Sequence, residues 1–249
     1  MAHPIMLITG GSRGIGAATA LLAAMRGWQV AISYKNNSEA AAQIVDRIRS
    51  SGGTAIAIQA DVTQEADVLH MFREVGDQLG TLAALVNNAG ILEQQTRLDQ
   101  MTLDRWERVF SANVFGSFLC AKQAVLQMST KHGGQGGAIV NVSSAASRLG
   151  SPNEFIDYAA AKGAIDSMTL GLAKEVAVEG IRVNAVRPGL IHTDIHASAG
   201  EPRRVERAKA GVPMLRGGQP EEVAEVIVWL ASAQASYVTG TLLDVTGGR

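Results

Sequence analysis

The sequence predicts an α/β fold: a doubly wound sheet of about seven parallel strands with helices on both faces. Three observations carry that expectation. Short apolar runs alternate with longer amphipathic segments along the whole chain, the runs are continuously apolar, and no linker or repeat breaks the rhythm. A strand that is apolar on both faces has to be covered on both faces, and helices layered above and below a parallel sheet do this.

The strands are expected at residues 5–9, 29–34, 54–60, 82–86, 138–142, 182–186 and 241–245. Between them, helical spacing begins near Gly14, Ser38, Gln64, Thr102, Phe155 and Pro220, giving six principal helices. The stretch 191–217, with Pro202, Pro213 and several glycines, interrupts the alternation and reads as a substrate-loop insertion in one domain spanning 1–249.

Composition narrows the function. With 47% hydrophobic and 18% charged residues the chain is not disordered, and 27 glycines without a triplet period exclude collagen. Twenty-two basic residues against 23 acidic ones leave a net charge of −1, too little positive field to expect a nucleic-acid partner. Cys120 is the single cysteine, so no intramolecular disulfide forms and a reducing compartment fits. The start Met1-Ala2-His3-Pro4 lacks a basic leader region, and no uninterrupted apolar run approaches the ~18 residues of a membrane span. The expectation is a soluble cytoplasmic protein without a membrane partner.

Ligands of open parallel sheets bind beyond the carboxyl ends of the strands. After the first strand comes Thr9-Gly10-Gly11-Ser12-Arg13-Gly14-Ile15-Gly16, leading into a helix. Glycines let the backbone approach a pyrophosphate, and the helix start offers free N–H groups, so this is a Rossmann-type dinucleotide turn. An acidic residue about 20 positions further on would bind a free ribose 2′-hydroxyl. Ser33-Tyr34-Lys35-Asn36-Asn37 stands there instead, and with Arg13 in the glycine turn, two cations could face a 2′-phosphate. NADP(H) is therefore preferred over NAD(H).

Tyr158 and Lys162 are four apart at the start of a helix and share one face. The strand ending Asn141-Val142-Ser143-Ser144 lies close before them. Adjacent strand residues point to opposite faces, so one serine of the pair meets the crevice.

Together these motifs resemble the classical short-chain dehydrogenase/reductase family over essentially the whole chain. They are Thr9-Gly10 with Gly14 and Gly16, Asp61-Val62, Asn87-Asn88-Ala89-Gly90, Asn113, Ser144, Tyr158 with Lys162, and Pro188-Gly189. The resemblance implies that Tyr158 is the general acid/base, Ser144 a donor to the substrate oxygen, Lys162 the perturber of Tyr158, and Asn113 the anchor of a proton-relay water. It further implies that Asp61 and Val62 border the adenine, Asn88, Ala89 and Gly90 the ribose, and Pro188, Gly189, Ile191 and Thr193 the nicotinamide. Asp61 has an alternative role, as cap of the helix near Gln64. No metal site is expected.

The chemistry gives its own reasons for these residue types. Reduction of a carbonyl to a secondary alcohol develops charge on oxygen, which needs placed donors and then a proton. Moving a tyrosine ~3 pH units towards neutrality takes about 4 kcal/mol, more than the ~1 kcal/mol of one exposed ion pair. A shielded Lys162, assisted by the oxidised nicotinamide, is expected to supply it.

Loops 91–98, 145–157 and 191–217 are expected to line the substrate crevice, the second with Arg148, Glu154, Phe155 and Asp157. Arg203, Arg204, Arg207 and Lys209 read as a solvated helix face above it. Similar enzymes include 3-oxoacyl-carrier-protein reductases and glucose or other sugar dehydrogenases. The former dock an acidic carrier on basic residues where this chain has Gln135 and Glu179, and Arg187 stands where a small residue is usual. The substrate is thus a small carbonyl or alcohol compound, with the carrier-bound one an alternative. A cofactor-binding regulator without catalysis is a further alternative, disfavoured because Ser144, Tyr158 and Lys162 are all present. Small and apolar residues crowd two helices, Ala112, Gly116, Ala121 and Ala124 in one and Ala164, Gly171, Leu172 and Ala173 in the other, which predicts a homo-oligomer, a tetramer by the resemblance.

Overall fold

In the computed structural model, which describes residues 3–249, the strands are β1 (Ile5–Ile8), β2 (Gln29–Tyr34), β3 (Ala55–Gln59), β4 (Leu82–Asn87), β5 (Gly137–Val142), β6 (Ile181–Pro188) and β7 (Leu242–Val245). All pair in parallel, in the order β3-β2-β1-β4-β5-β6-β7. The order reverses between β1 and β4, and a crevice opens there beyond the strand ends. Met1 and Ala2, part of the leader reading, lie outside the described residues.

The helices are α1 (Gly14–Met25), α2 (Ser38–Ser50), α3 (Glu65–Gln78), α4 (Leu103–Phe110), α5 (Gly116–Met128), α6 (Ala146–Leu149), α7 (Ile156–Val176), α8 (Ile195–Ser198), α9 (Arg204–Ala208) and α10 (Pro220–Ala231). Side-chain alternation along each strand explains why the sheet is covered twice. Met6, Ile8, Val30, Ile32, Val86 and Val140 enter one core with α1, α2 and α10, while Ile5, Leu7, Ala31, Leu85 and Ile139 enter another with α3, α5 and α7.

Two expectations need amendment. The helix expected from Thr102 is two α-helices joined by a π-helical turn, Ser111–Phe115, and Thr102 caps its start by accepting from Arg105 N. The stretches 145–157 and 191–217 are not plain loops, for they contain α6, α8 and α9. Within the continuous helix Leu103–Met128 an 18-residue stretch reaches a mean hydropathy of 1.3, enough by length and composition to cross a membrane, but polar residues interrupt it and half of it is buried inside the fold, as in a core helix. Cys120 lies within it, and burial pushes its thiol up to about 12, so it behaves as a small apolar side chain.

Candidate active site

A cleft of about 1370 Å³ runs across the carboxyl ends of the strands, from Lys35 beyond β2 to Tyr158 and Arg204. Its floor is set by cross-ties between loops. Thr9 Oγ1 accepts from the amides of Asn88 and Ala89, both at 3.0 Å, while Asn88 Nδ2 donates to the carbonyls of Thr9 and Gly10 at 2.8 and 3.0 Å. The Asn88–Gly90 segment is thereby fixed against the glycine turn.

In that turn Gly10 and Gly14 adopt φ of +63° and +54°, which side chains resist. Arg13, at the N-cap of α1, makes no capping bond and the first turn carries no acidic residue, unlike α3 with Glu65 and Asp67 or α10 with its capping box. The amides that open α1 therefore remain available at the cleft, the arrangement that binds a phosphate. Gly16 departs from expectation because it does not line the cleft. A Cβ there would stand 2.5 Å from Asn88 Nδ2 and 2.6 Å from Gly10 O, so this glycine lets the start of α1 pack closely on the glycine turn and Asn88.

At the end of β2, Tyr34 and Lys35 line the cleft, and Lys35 Nζ lies 2.6 Å from Asp61 Oδ2. Burial alone would raise the Asp61 carboxyl, but Lys35 and both donors of Thr63 hold it below the usual carboxylate range. Asp61 makes this local turn with Thr63 rather than capping α3, whose N-cap is Gln64. Arg13 is exposed at the rim and pairs with none of the described carboxylates. Ser12, Ile15, Val62, Pro188, Gly189, Ile191 and Thr193 also line the cleft, with the Ile191 side chain packed into the core beneath.

The structure brings Ser144, Tyr158, Lys162 and Asn113 together at the cleft floor. Ser144 Oγ accepts from Ala146 N at 3.1 Å and stands on the same cleft floor as the Tyr158 phenol, where it favours the ionised form. Its partner in the pair, Ser143, points the other way and donates to Asp166 Oδ1 at 2.6 Å. Lys162 Nζ donates to Val142 O at 2.7 Å and sits 5.5 Å from the centre of the Tyr158 ring. Asn113, fully buried in the π-helical turn, donates from Nδ2 to Ile91 O and Val109 O and leaves Oδ1 without a partner. A Cβ at Gly90 would lie 2.5 Å from that oxygen and 3.7 Å from Lys162 Nζ, so glycine keeps a gap open between the two. A buried, unpartnered amide oxygen beside an ammonium is a place for a bound water.

Burial pushes the Tyr158 phenol up to about 12, with the Ser144 hydroxyl opposing, while burial brings Lys162 down to about 8 against the attraction of Asp166. The ammonium turns to Val142 O, and burial is the larger influence on both groups.

The far wall holds a charge network. Arg204, with a side chain 13% exposed, lies over the Phe155 ring at 4.9 Å and pairs with Glu154 at 2.6 Å. Arg207 pairs with Glu154 and Glu201, and Glu201 is also bonded by Gln95. Arg204 is therefore not part of a solvated face, though Arg203 is exposed, as are the Arg207 and Lys209 side chains. Of the four residues assigned to the second loop, Glu154 and Phe155 line the cleft, whereas Arg148 turns to Asp244 and Arg249 O, and Asp157 is buried in an ion pair with Arg105.

Comparison with known proteins identifies the frame. The family model described as Enoyl-(Acyl carrier protein) reductase matches residues 10–249. The uncharacterized oxidoreductase YgfF of Escherichia coli (strain K12) is 57% identical over 245 residues, 98% of this chain and 99% of that protein. A 3-oxoacyl-[acyl-carrier-protein] reductase of Synechocystis (strain ATCC 27184 / PCC 6803 / Kazusa) is 41% identical, covering 98% and 96%. A short-chain type dehydrogenase/reductase from Mycobacterium marinum superposes with a TM-score of 0.93 at 34% identity, over 99% of this chain and 95% of that one. The chain belongs to the classical short-chain dehydrogenase/reductase family.

As a short-chain dehydrogenase/reductase the chain is an oxidoreductase that takes a nicotinamide cofactor, and its cleft fits one: α1 leaves amides free, Gly14 admits a close approach and Asn113 Oδ1 lacks a partner. Sequence reasoning missed Arg105, Arg108 and His196. Arg108 and His196 line the cleft, and burial lowers His196, whose Nε2 faces Ile191 O. Each is a lone residue in no motif, so only the fold brings it to the site. Arg187 now has an explanation, since it pairs with Asp244 at 2.7 Å and Asp166 at 3.6 Å, joining β6 to β7 and α7.

Proposed function

We propose that this enzyme interconverts a small carbonyl compound and its secondary alcohol with NADP(H). The observation that carries the reading is the gathering of Ser144, Tyr158 and buried Lys162 on one cleft floor with the unpartnered oxygen of Asn113. A bound nicotinamide cofactor supplies or accepts the hydride. Because Ser144 Oγ already accepts from Ala146 N, its own proton is free to be donated to the substrate oxygen. As negative charge grows on that oxygen, Tyr158 gives it the phenolic proton, and in the oxidative direction takes it back. Lys162, charged at neutral pH with its value near 8, stabilises the phenolate that remains. Asn113 Oδ1 holds a water in the gap beside Gly90, and the proton returns to Tyr158 by way of that water and Lys162.

Arg13 and Lys35 favour NADP(H) through the 2′-phosphate, there being no acidic residue from Ser33 to Asn37. The deciding experiment is NADPH oxidation by the purified protein with a panel of ketones and sugars, alongside Tyr158→Phe; near-native turnover in that variant would reject the assignment.

A second reading, reduction of a 3-oxoacyl-carrier-protein, is supported by the 41% identical relative of that name. Against it, Glu179 is bonded to Ser129 at 2.5 Å and places an acid where a carrier would meet a base. Equal rates with carrier-bound and free 3-oxoacyl substrates would set this reading aside.

The enzyme acts in the cytoplasm as a homotetramer built from one domain, residues 1–249. The small residues invoked for assembly are used partly inside the subunit: Gly116 packs on Val62, and Ala121 on Ile165 and Met168. The exposed stripe is instead Phe115, Phe118 and Leu126, with Leu170 on α7.

A further inference from the structure

Among the described residues, three charged groups are buried: Lys162, Arg105 and Asp157. Lys162 serves the site, and the other two have no role in it so far. Arg105, on α4, grips the Asp157 carboxylate with two bonds, Nε to Oδ2 at 2.6 Å and Nη2 to Oδ1 at 3.3 Å. Its remaining arm, Nη1, donates to Gln94 O at 2.6 Å. Asp157 Oδ1 in turn accepts from the amide of Tyr158 at 2.9 Å. One guanidinium thus ties α4, the first turn of α7 and the loop at Gln94. That loop begins at Ile91, whose carbonyl holds Asn113.

A buried pair is a poor stabiliser, because desolvation cancels most of its attraction and an apolar pair of similar volume often does as well. Its geometry explains its presence better. Phe155, the N-cap of α7, offers no side-chain cap, so the amide of Tyr158 depends on Asp157, and Asp157 has its place set by Arg105.

We propose that Arg105, acting through Asp157, is a positioning residue that fixes Tyr158 and the 91–97 wall as one body at the distance the reaction needs. The proposal rests on Tyr158 being the acid/base.

The test compares Arg105→Lys and the double variant Arg105→Met/Asp157→Leu with wild type. The first keeps the charge but loses the fork, and the second removes both buried charges together. Stability in urea, NADPH affinity by fluorescence, kcat and KM are measured, with amide exchange of residues 91–97. Both variants are expected to bind NADPH within about twofold of wild type and to lose about tenfold or more in kcat, since small misplacements of reacting groups are costly. Exchange in 91–97 should accelerate in the double variant. Native-like stability with kcat within about threefold of wild type in the double variant would overturn the proposal. So would a parallel loss of kcat and NADPH affinity in both variants, which marks general loosening. If the double variant does not fold, Arg105→Lys decides by the same criteria. Tyr158→Phe is run beside them: if it keeps turnover, the acid/base reading fails and this one with it, whereas its inactivity beside active Arg105 variants sinks only the positioning role.

Discussion

Lys35 Nζ stands 2.6 Å from Asp61 Oδ2, bridging the ends of β2 and β3 at the cleft mouth. The lysine side chain is 61% exposed, so the pair is worth about 1 kcal/mol or less and a phosphate can displace the carboxylate. Arg13→Ala and Lys35→Ala should each weaken NADPH about tenfold and NADH hardly at all, as isothermal titration would register. Equal losses for both cofactors would place the two cations away from the 2′-phosphate.

Burial pushes the Tyr158 phenol up to about 12. An ultraviolet titration of the free protein should therefore show one tyrosine ionising well above pH 10, absent in Tyr158→Phe. Ser144→Ala removes the opposing hydroxyl and should move that step higher still, while lowering kcat about a hundredfold. A step near pH 7 without cofactor would contradict this account of the phenol.

Lys162 is carried as a buried ammonium at neutral pH, and its fall from 10.5 to about 8 corresponds to about 3 kcal/mol of destabilisation. Between pH 8 and 10.5 the unfolded chain binds the proton that the folded one has released, so this contribution to stability rises with pH. Lys162→Met should be inactive yet about 1 to 2 kcal/mol more stable than wild type at pH 7, after loss of the bond to Val142 O. That advantage should shrink by pH 10 in paired urea melts; an advantage that grew would refute it.

Gly90→Ala would place a methyl 2.5 Å from Asn113 Oδ1, in the gap shared with Lys162. Crowding out a relay water there should cut kcat by about tenfold or more, and the solvent isotope effect on turnover should change with it. Unaltered turnover would remove the water from the mechanism.

Phe118 is half exposed on the stripe formed with Phe115 and Leu126. Phe118→Glu should lower the assembly state, since a charge at the centre of an apolar contact goes unpaired. Light scattering gives the mass directly, and a wild-type protein found as a monomer at micromolar concentration would dispose of the tetramer.

Much of this was legible in the chain because it depends on order along it. Continuous apolar runs such as 138–142 specify buried parallel strands, and Tyr158 with Lys162 sits one helical turn apart wherever the helix lies. What could not be read comes from pairings distant in sequence. Arg105 and Asp157 are 52 residues apart and Glu154 and Arg204 are 50, so neither partner signals the other. The orientation of Lys162 towards Val142 O was equally hidden, for spacing fixes the face of a helix and not the acceptor that a flexible ammonium selects. The sequence also could not show that Gly16 serves packing, because glycine looks alike in either role.

The π-helical turn at Ser111–Phe115 has a reach beyond Asn113. An α-helix advances about 100° per residue, so one extra residue in a turn rotates everything that follows by that angle. The same widened turn that frees the Asn113 amide from regular geometry therefore also determines which side of α5 carries Phe118. Excising a single residue there would turn every following side chain by about 100°, moving Phe118 off its outer face and the buried alanines out of register with the core. One turn of helix thus holds Asn113 and sets the facing of Phe118, so a change of length at that point alters both.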